Sequence, residues 1–237
     1  MSAYYNEIEP YPAEWLRNLI KAGLIPDGEV DTRSIVDVSP DDLRGFTQCH
    51  FFAGIGGWGR ALRLAGWPDD RPVWTGSCPC QPFSEAGKGL GVEDPRHLWP
   101  AWFKLIAACR PTIIFGEQVP EAVRHGWLDA VCDDLKAEGY ATGAAILPAC
   151  SVGAPHLRDR LWFLADASGQ WRKPIRRQQL AEGCDQERAV PQWEAEPSVA
   201  RMVDGVRNRM ALVRAYGNAI VPQVAAEVIK AFMETRQ

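Results

Sequence analysis

The sequence predicts an α/β fold, an open sheet flanked by helices on both faces. Three observations predict it. Short apolar runs alternate with stretches whose apolar residues recur at helical spacing. A glycine-rich turn, Gly54 to Gly57, separates a buried strand pattern (Cys49 to Ala53) from a helical one (Trp58 to Ala65). A chain of 237 residues with 46% hydrophobic content is enough for one domain, or one domain with a small appendage, around a sizeable core.

The elements follow in order. "AYYNEIE" is a short strand pattern, and in "PAEWLRNLIKAGL" Trp15, Leu16, Leu19, Ile20 and Leu24 keep a helical period behind an opening proline. "GEVDTRSIVDV" reads as a second short strand region and "SPDDLRG" as a connector. After the glycine turn and its helix, "RPVWTGS" is a strand that ends at Cys78-Pro79-Cys80, and "SEAGKGLGVEDPRH" is a polar, glycine-rich loop. "LWPAWFKLIAAC" is a helix with Pro100 in its first turn, "PTIIFGEQ" a buried strand, and "EAVRHGWLDAVCDDLKAEG" an amphipathic helix ended by Gly139. "YATGAAILPA" and "RLWFLAD" are two further strands, and "PQVAAEVIKAFMET" is a terminal helix. From Asp166 to Pro197 the pattern dissolves into Gln, Glu, Arg and Pro.

Composition narrows the function classes. No apolar run approaches the ~20 residues needed to span a bilayer. The opening "MSAYYNEIEP" lacks the basic and apolar regions of a signal peptide. The expectation is a cytoplasmic protein with no membrane partner. Seven scattered cysteines without a C-x-x-C pair suit a reducing compartment and argue against structural zinc, so no metal is expected. The net charge of −4 is not that of a globally basic nucleic-acid binder, but its distribution is uneven. Residues 1–156 carry 13 basic and 20 acidic side chains, whereas residues 157–215 carry 11 and 8. The second set includes Arg172, Lys173, Arg176 and Arg177. Such a run suits phosphate contact, and equally a solvated loop.

A lone cysteine is ordinarily a small buried hydrophobe. Cys80 differs in its setting, at the carboxyl end of a buried strand, between Pro79 and Pro82 and before a glycine loop. Open α/β sheets bind ligands at that end, and prolines fix the direction of a side chain between them. Glu117 stands at the tip of the next strand pattern, where a carboxyl is either a structural acceptor or a neighbour of the thiol. Arg158 and Arg160 are two apart, so on a strand they would share a face and point into one cleft. A surface pair of arginines is the plain alternative.

Together these pieces resemble the DNA (cytosine-5)-methyltransferase family. "FAGIGG" resembles its first motif, "PCQPFS" with "GKGLG" and "DPRHLW" its nucleophile motif and closing loop, and "EQV" its Glu-Asn-Val. "GAPHLRDRLWF" resembles its Gly-x-Pro-Gln-x-Arg-x-Arg motif, and "YGNAIVPQVA" its last motif. The resemblance covers about residues 50–165 and 215–232. It implies a Rossmann-like, S-adenosylmethionine-dependent methyltransferase sheet that acts on DNA and leaves S-adenosylhomocysteine. An RNA-modifying relative and a non-catalytic binding module are the alternatives.

By the same resemblance, Cys80 adds to C6 of cytosine and Glu117 contacts the N3 side of the ring. Arg158 and Arg160 hold the base carbonyl, and the stretch from Ser84 to Trp99 forms a lid. Phe52, Ala53, Gly54, Ile55, Gly56, Gly57, Pro79 and Asn218 line the cofactor pocket. Gln81, Ser84 and Arg96 face the substrate, joined by the four basic residues of the 172–177 run.

The family places a ribose-binding acid and then an adenine-binding acid after the first helix, and neither follows Gly66 here. "NEIEPYPAEWL" and "GEVDTRSI" resemble those segments but lie upstream. The expectation is a circularly permuted sheet in which Glu7 holds the ribose and Asp31 the adenine amine, with Glu9 and Asp37 as rival acids. The alternative is a truncated cofactor half preceded by unrelated residues. The expected organisation is a catalytic domain over 1–165, with cofactor-edge strands in 1–46 and a core in 47–165. A short target-recognition region over 166–214 and a returning C-terminal helix in 215–237 complete it. Gln118 stands for the family's Asn and His156 for its Gln. Some 48 residues between Ala167 and Arg214 give little room for an independent recognition core. Relaxed specificity is expected, or a partner protein or second copy that supplies contacts.

Overall fold

A computed structural model describes residues 2–79, 98–169 and 217–236. Its seven strands form one sheet in the order β2-β1-β3-β4-β5-β7-β6. They are β1 (Ser2–Asn6), β2 (Gly28–Asp31), β3 (Phe46–Phe51), β4 (Val73–Gly76), β5 (Ile113–Gln118), β6 (Ala141–Leu147) and β7 (Arg160–Asp166). The first five run parallel, while β7 is antiparallel to both β5 and β6. The two strands made first thus lie at one edge, outside the glycine-turn strand β3.

Helices cover both faces, because each strand between the edges is apolar on both sides. Tyr4, Phe51, Trp74, Ile114 and Phe163 point to one face and pack under α3 (Trp99–Cys109) and α5 (Trp127–Ala137). Val73, Ile113, Phe115 and Trp162 point to the other, under α2 (Gly57–Leu64) and α6 (Pro222–Glu234). Beneath α1 (Pro10–Lys21), Ala3, Tyr5, Leu16 and Ile25 extend that layer to the edge.

Three predicted elements differ. The helix expected over 121–139 is two, α4 (Glu121–Arg124) and α5, because Gly126 takes φ 70° between them. The second strand region stops at Asp31 and is followed by two 3₁₀ turns, Ile35–Asp37 and Pro40–Leu43. Arg158 precedes β7 and has φ 33°, so the alternation rule does not apply to it.

Aromatic packing under α3 is tight enough to require glycine on β5. A methyl group on Gly116 would overlap the ring of Phe163, which is itself packed against Trp99, Trp102 and Trp127. Gly116→Ala is therefore expected to cost about 3 kcal/mol, as overpacking of a closed core does. Urea denaturation reads it as a lower midpoint with an unchanged slope.

Candidate active site

Every candidate side chain within the described residues lies at or near one end of the sheet, the carboxyl end of the parallel strands. Strand β3 leads into Phe52, held at φ 52°, then into Gly54 (φ 55°) and Gly56 (φ 83°). Glycine adopts these last two values at no steric cost. Gly56 starts α2. A side chain on Gly54 would meet nothing within 4 Å among the described residues, so the turn is open on that side. Gly57 is the reverse case, since a Cβ there would come 2.6 Å from Ile220 Cγ1, just before α6. That contact brings the final segment, with exposed Asn218, beside the glycine turn.

Glu7 follows β1 and reaches the same turn. Its Oε2 accepts the Gly54 N–H at 2.7 Å and its Oε1 the Glu9 N–H at 2.9 Å. Burial pushes its carboxyl pKa up, against the two N–H donors. Its own N–H donates to the Asp31 carbonyl at 2.9 Å, so the two acid-bearing strand ends lie side by side. The Asp31 carboxylate is held by the Tyr4 hydroxyl at 2.7 Å and by the Arg33 guanidinium at 2.7 Å. Burial alone would raise its pKa, but Arg33 and Tyr4 outweigh that and hold it below the usual range.

On β5, Glu117 is buried and its Oε1 is 2.8 Å from Arg160 Nε. Burial raises its pKa, opposed by the charges of Arg160 and Arg158 and by the hydroxyl of Ser77. Ser77 stands one step beyond the Gly76–Gly116 pair in the parallel register, beside Glu117. The Trp58 indole donates to the Ser77 oxygen at 3.0 Å. An indole N–H only donates, so the serine's own proton is left for the carboxyl. Sequence reasoning missed Ser77, because only strand register makes it Glu117's neighbour.

Gln118 is fully buried. Its side-chain amide donates to the Cys78 carbonyl at 3.4 Å and its oxygen accepts the Val119 N–H at 2.9 Å. It therefore ties β5 to the segment that leads through half-buried Pro79 to Cys80. Cys78 points into the core, where burial raises its thiol pKa.

Arg158 and Arg160 divide their contacts. Arg160 pairs with Glu117, whereas Arg158 Nη2 donates to the carbonyls of Gly217 at 2.8 Å and Ala219 at 2.7 Å, clamping the final segment. Cys80, Gln81, Ser84, Arg96, Arg172, Lys173, Arg176 and Arg177 lie outside the described residues, as do most of the expected lid and recognition region. Among the described residues, no group of three or more His, Cys, Asp or Glu side chains could hold a metal ion. Nor is any helix among them long and apolar enough to cross a membrane.

The strand-end acids and the glycine turn, open at Gly54, fit an adenosyl cofactor. The sequence model of C-5 cytosine-specific DNA methylases matches residues 66–204. The type II methyltransferase M.HgiCII of Herpetosiphon aurantiacus is 26% identical over 163 residues, 52% of this chain and 37% of that protein. M.AluI of Cellulosimicrobium cellulans is 32% identical over 116 residues, 44% of this chain and 22% of that protein. The match thus spans well under half the length of these relatives. A crystal structure of a Spodoptera frugiperda DNMT2 mutant superposes with a TM-score of 0.49 at 18% identity, covering 74% of this chain and 45% of that one. With the family model matched over more than half its residues, this chain belongs to the C-5 cytosine-specific DNA methylase family.

Proposed function

We propose that the protein transfers a methyl group from S-adenosylmethionine to C5 of cytosine in DNA, through a covalent bond between Cys80 and C6. The observation that carries this reading is the convergence at one sheet end. The Glu7-braced glycine turn, the Cys78-Pro79 approach to Cys80 and the buried Glu117–Arg160 pair all meet there, in a chain of this family.

C5 of cytosine is a poor nucleophile. The Cys80 thiolate adds at C6, and Glu117 delivers a proton at N3, so that the electron pair from the C5–C6 double bond is freed at C5. A carboxyl whose pKa is raised by burial suits proton delivery near neutral pH. Arg160 holds that carboxyl in place and contributes positive charge beside the base carbonyl. The cofactor, when bound, supplies an electrophilic methyl on a sulfonium. Glu7 would accept from its ribose and Asp31 would face its adenine amine, with the Gly54 turn lining the same pocket. Loss of the C5 proton to water then expels the Cys80 thiolate, the N3 proton returns to the Glu117 carboxylate, and the ring is restored. In duplex DNA the target base must first leave the stack, at a cost of a few kcal/mol.

Two features support a circular permutation. The acid-bearing strands β1 and β2 precede β3 in the chain yet lie outside it in the sheet. The family match begins only at residue 66, after the glycine turn and α2. Because only some 48 residues lie between Ala167 and Arg214, the protein reads a short or relaxed site, or borrows contacts from a partner.

The test is transfer of tritium from labelled cofactor to DNA of varied sequence, with tRNA in parallel. Label on DNA, released as 5-methylcytosine, is the expected result. Label on tRNA alone moves the substrate to RNA. No label on either, from protein that binds cofactor, overturns the reading.

A further inference from the structure

The Glu117 carboxyl is held from both neighbouring strands. Arg160, the first residue of β7, reaches it with Nε 2.8 Å from Oε1. Ser77, just beyond β4, stands beside it in the parallel register. Strand β5 lies between β4 and β7, so the two groups approach from opposite sides. Arg160 fixes one edge of the carboxyl. A serine hydroxyl on a free rotor would fix little at the other, because it turns to whichever acceptor is near.

Trp58 removes that freedom. It is the second residue of α2 and 2% exposed. Its ring lies 5.7 Å from that of Trp162 at 81° and 6.4 Å from that of Phe115 at 25°. Trp162 is the register partner of Glu117 itself. Packed against these β5 and β7 aromatics, the indole has no room to swing, and its N–H is aimed at Ser77 Oγ, 3.0 Å away. That bond occupies one side of the serine oxygen. The hydroxyl proton then lies away from the indole, where a buried carboxylate is the acceptor that gains most from it. The Ser77 hydroxyl accordingly opposes the effect of burial on Glu117. The charged groups that face this carboxyl among the described residues are Arg160 and Arg158, both cationic.

We propose that Trp58 and Ser77 are positioning residues for the proton donor of the reaction: the indole fixes the serine hydroxyl, and the hydroxyl holds the β4 side of the Glu117 carboxyl while Arg160 holds the other. The inference rests on the proposed function, in which Glu117 serves N3 of cytosine. Because α2 begins at the glycine turn, the same bonds tie the cofactor side of the site to the acid that serves the base.

A hydroxyl that donates to a carboxyl favours its ionised form. The experiment is a carbon-13 NMR titration of the full chain, with the Glu117 carboxyl assigned by Glu117→Gln. Its midpoint should rise by roughly one pH unit in Ser77→Ala, the range for one hydrogen bond to a charged group, and by less in Trp58→Phe. The arm of the transfer rate that falls at high pH, where Glu117 has lost its proton, should move up with it. The Cys80 thiol governs the opposite arm. Ser77→Thr keeps the hydroxyl and should keep both the carboxyl midpoint and the high-pH arm at their wild-type positions. A midpoint that stays in place in Ser77→Ala overturns the inference and leaves the proposed function standing. So does a variant whose transfer falls equally at every pH, since that is the mark of a merely structural role. Wild-type protein that transfers no label to DNA overturns the proposed function instead, while the carboxyl titration still reads the Trp58–Ser77 bond directly.

Discussion

Replacing Arg160 by methionine destabilises the protein by about 3 kcal/mol above neutral pH, and by less in acid. Methionine keeps the packing of the aliphatic stem and removes the guanidinium 2.8 Å from Glu117. Removing one partner of a buried pair costs ~3–5 kcal/mol, because the remaining charge stays buried without compensation. Arg160 is 19% exposed and Glu117 9%, which places the pair at the lower end of that range. The pH dependence follows from the sign of the shift. Burial holds the native Glu117 carboxyl above its unfolded pKa of about 4.3, with Arg160 as the main opposing charge. Arg158 and the Ser77 hydroxyl oppose it less.

The native state therefore binds this proton more tightly than the unfolded chain does. Its favourable contribution is full below the unfolded pKa and is lost as pH rises through the native one. Without Arg160 the native pKa rises further, so the loss runs to higher pH. Urea denaturation at about pH 5 and about pH 8 should show the gap between wild type and variant widening with pH. A gap of constant size would mean that lost packing, and not an uncompensated carboxylate, is what the substitution costs.

That pair also marks the limit of what was legible in the sequence. The glycine turn, the helix after it and the alternation of strands and helices rest on local patterns, and the fold carries them with ends shifted by a few residues. Resemblance to a family segment found upstream puts Glu7 in the cofactor pocket as a ribose acceptor. The observed bond to Gly54, 47 residues away, depends on strand order, which no local pattern encodes. Arg158 and Arg160 look equivalent two residues apart, but the φ of 33° at Arg158 precedes the strand and sends its side chain to the 217–219 carbonyls. Ser77 carries no signal of its own in the sequence, because it matters only through Glu117, a neighbour that parallel register supplies. Gly126 looks helical in the sequence because the apolar spacing continues across it, whereas its φ of 70° breaks the backbone.

Substituting the two reacting groups should separate their roles. Cys80→Ser abolishes both label transfer and covalent trapping on 5-fluorocytosine DNA, since an alcohol supplies no useful concentration of anion at neutral pH. Glu117→Gln is different in kind. Glutamine preserves the shape beside Ser77 and can still donate to the ring, but it cannot give up a proton to N3. Transfer should fall roughly 10²- to 10⁴-fold, the contribution of a positioned acid. Trapping should slow in proportion yet reach the wild-type end-point, because the Cys80 thiolate is still present. Binding of S-adenosylhomocysteine should be unchanged in Glu117→Gln, since Glu117 pairs with Arg160 and not with the Glu7–Gly54 turn. If the glutamine protein traps DNA at the wild-type rate, proton delivery is not what Glu117 does. Its pairing with Arg160 would then be purely structural, and the pH-dependent stability gap would be the only consequence of that carboxyl's burial.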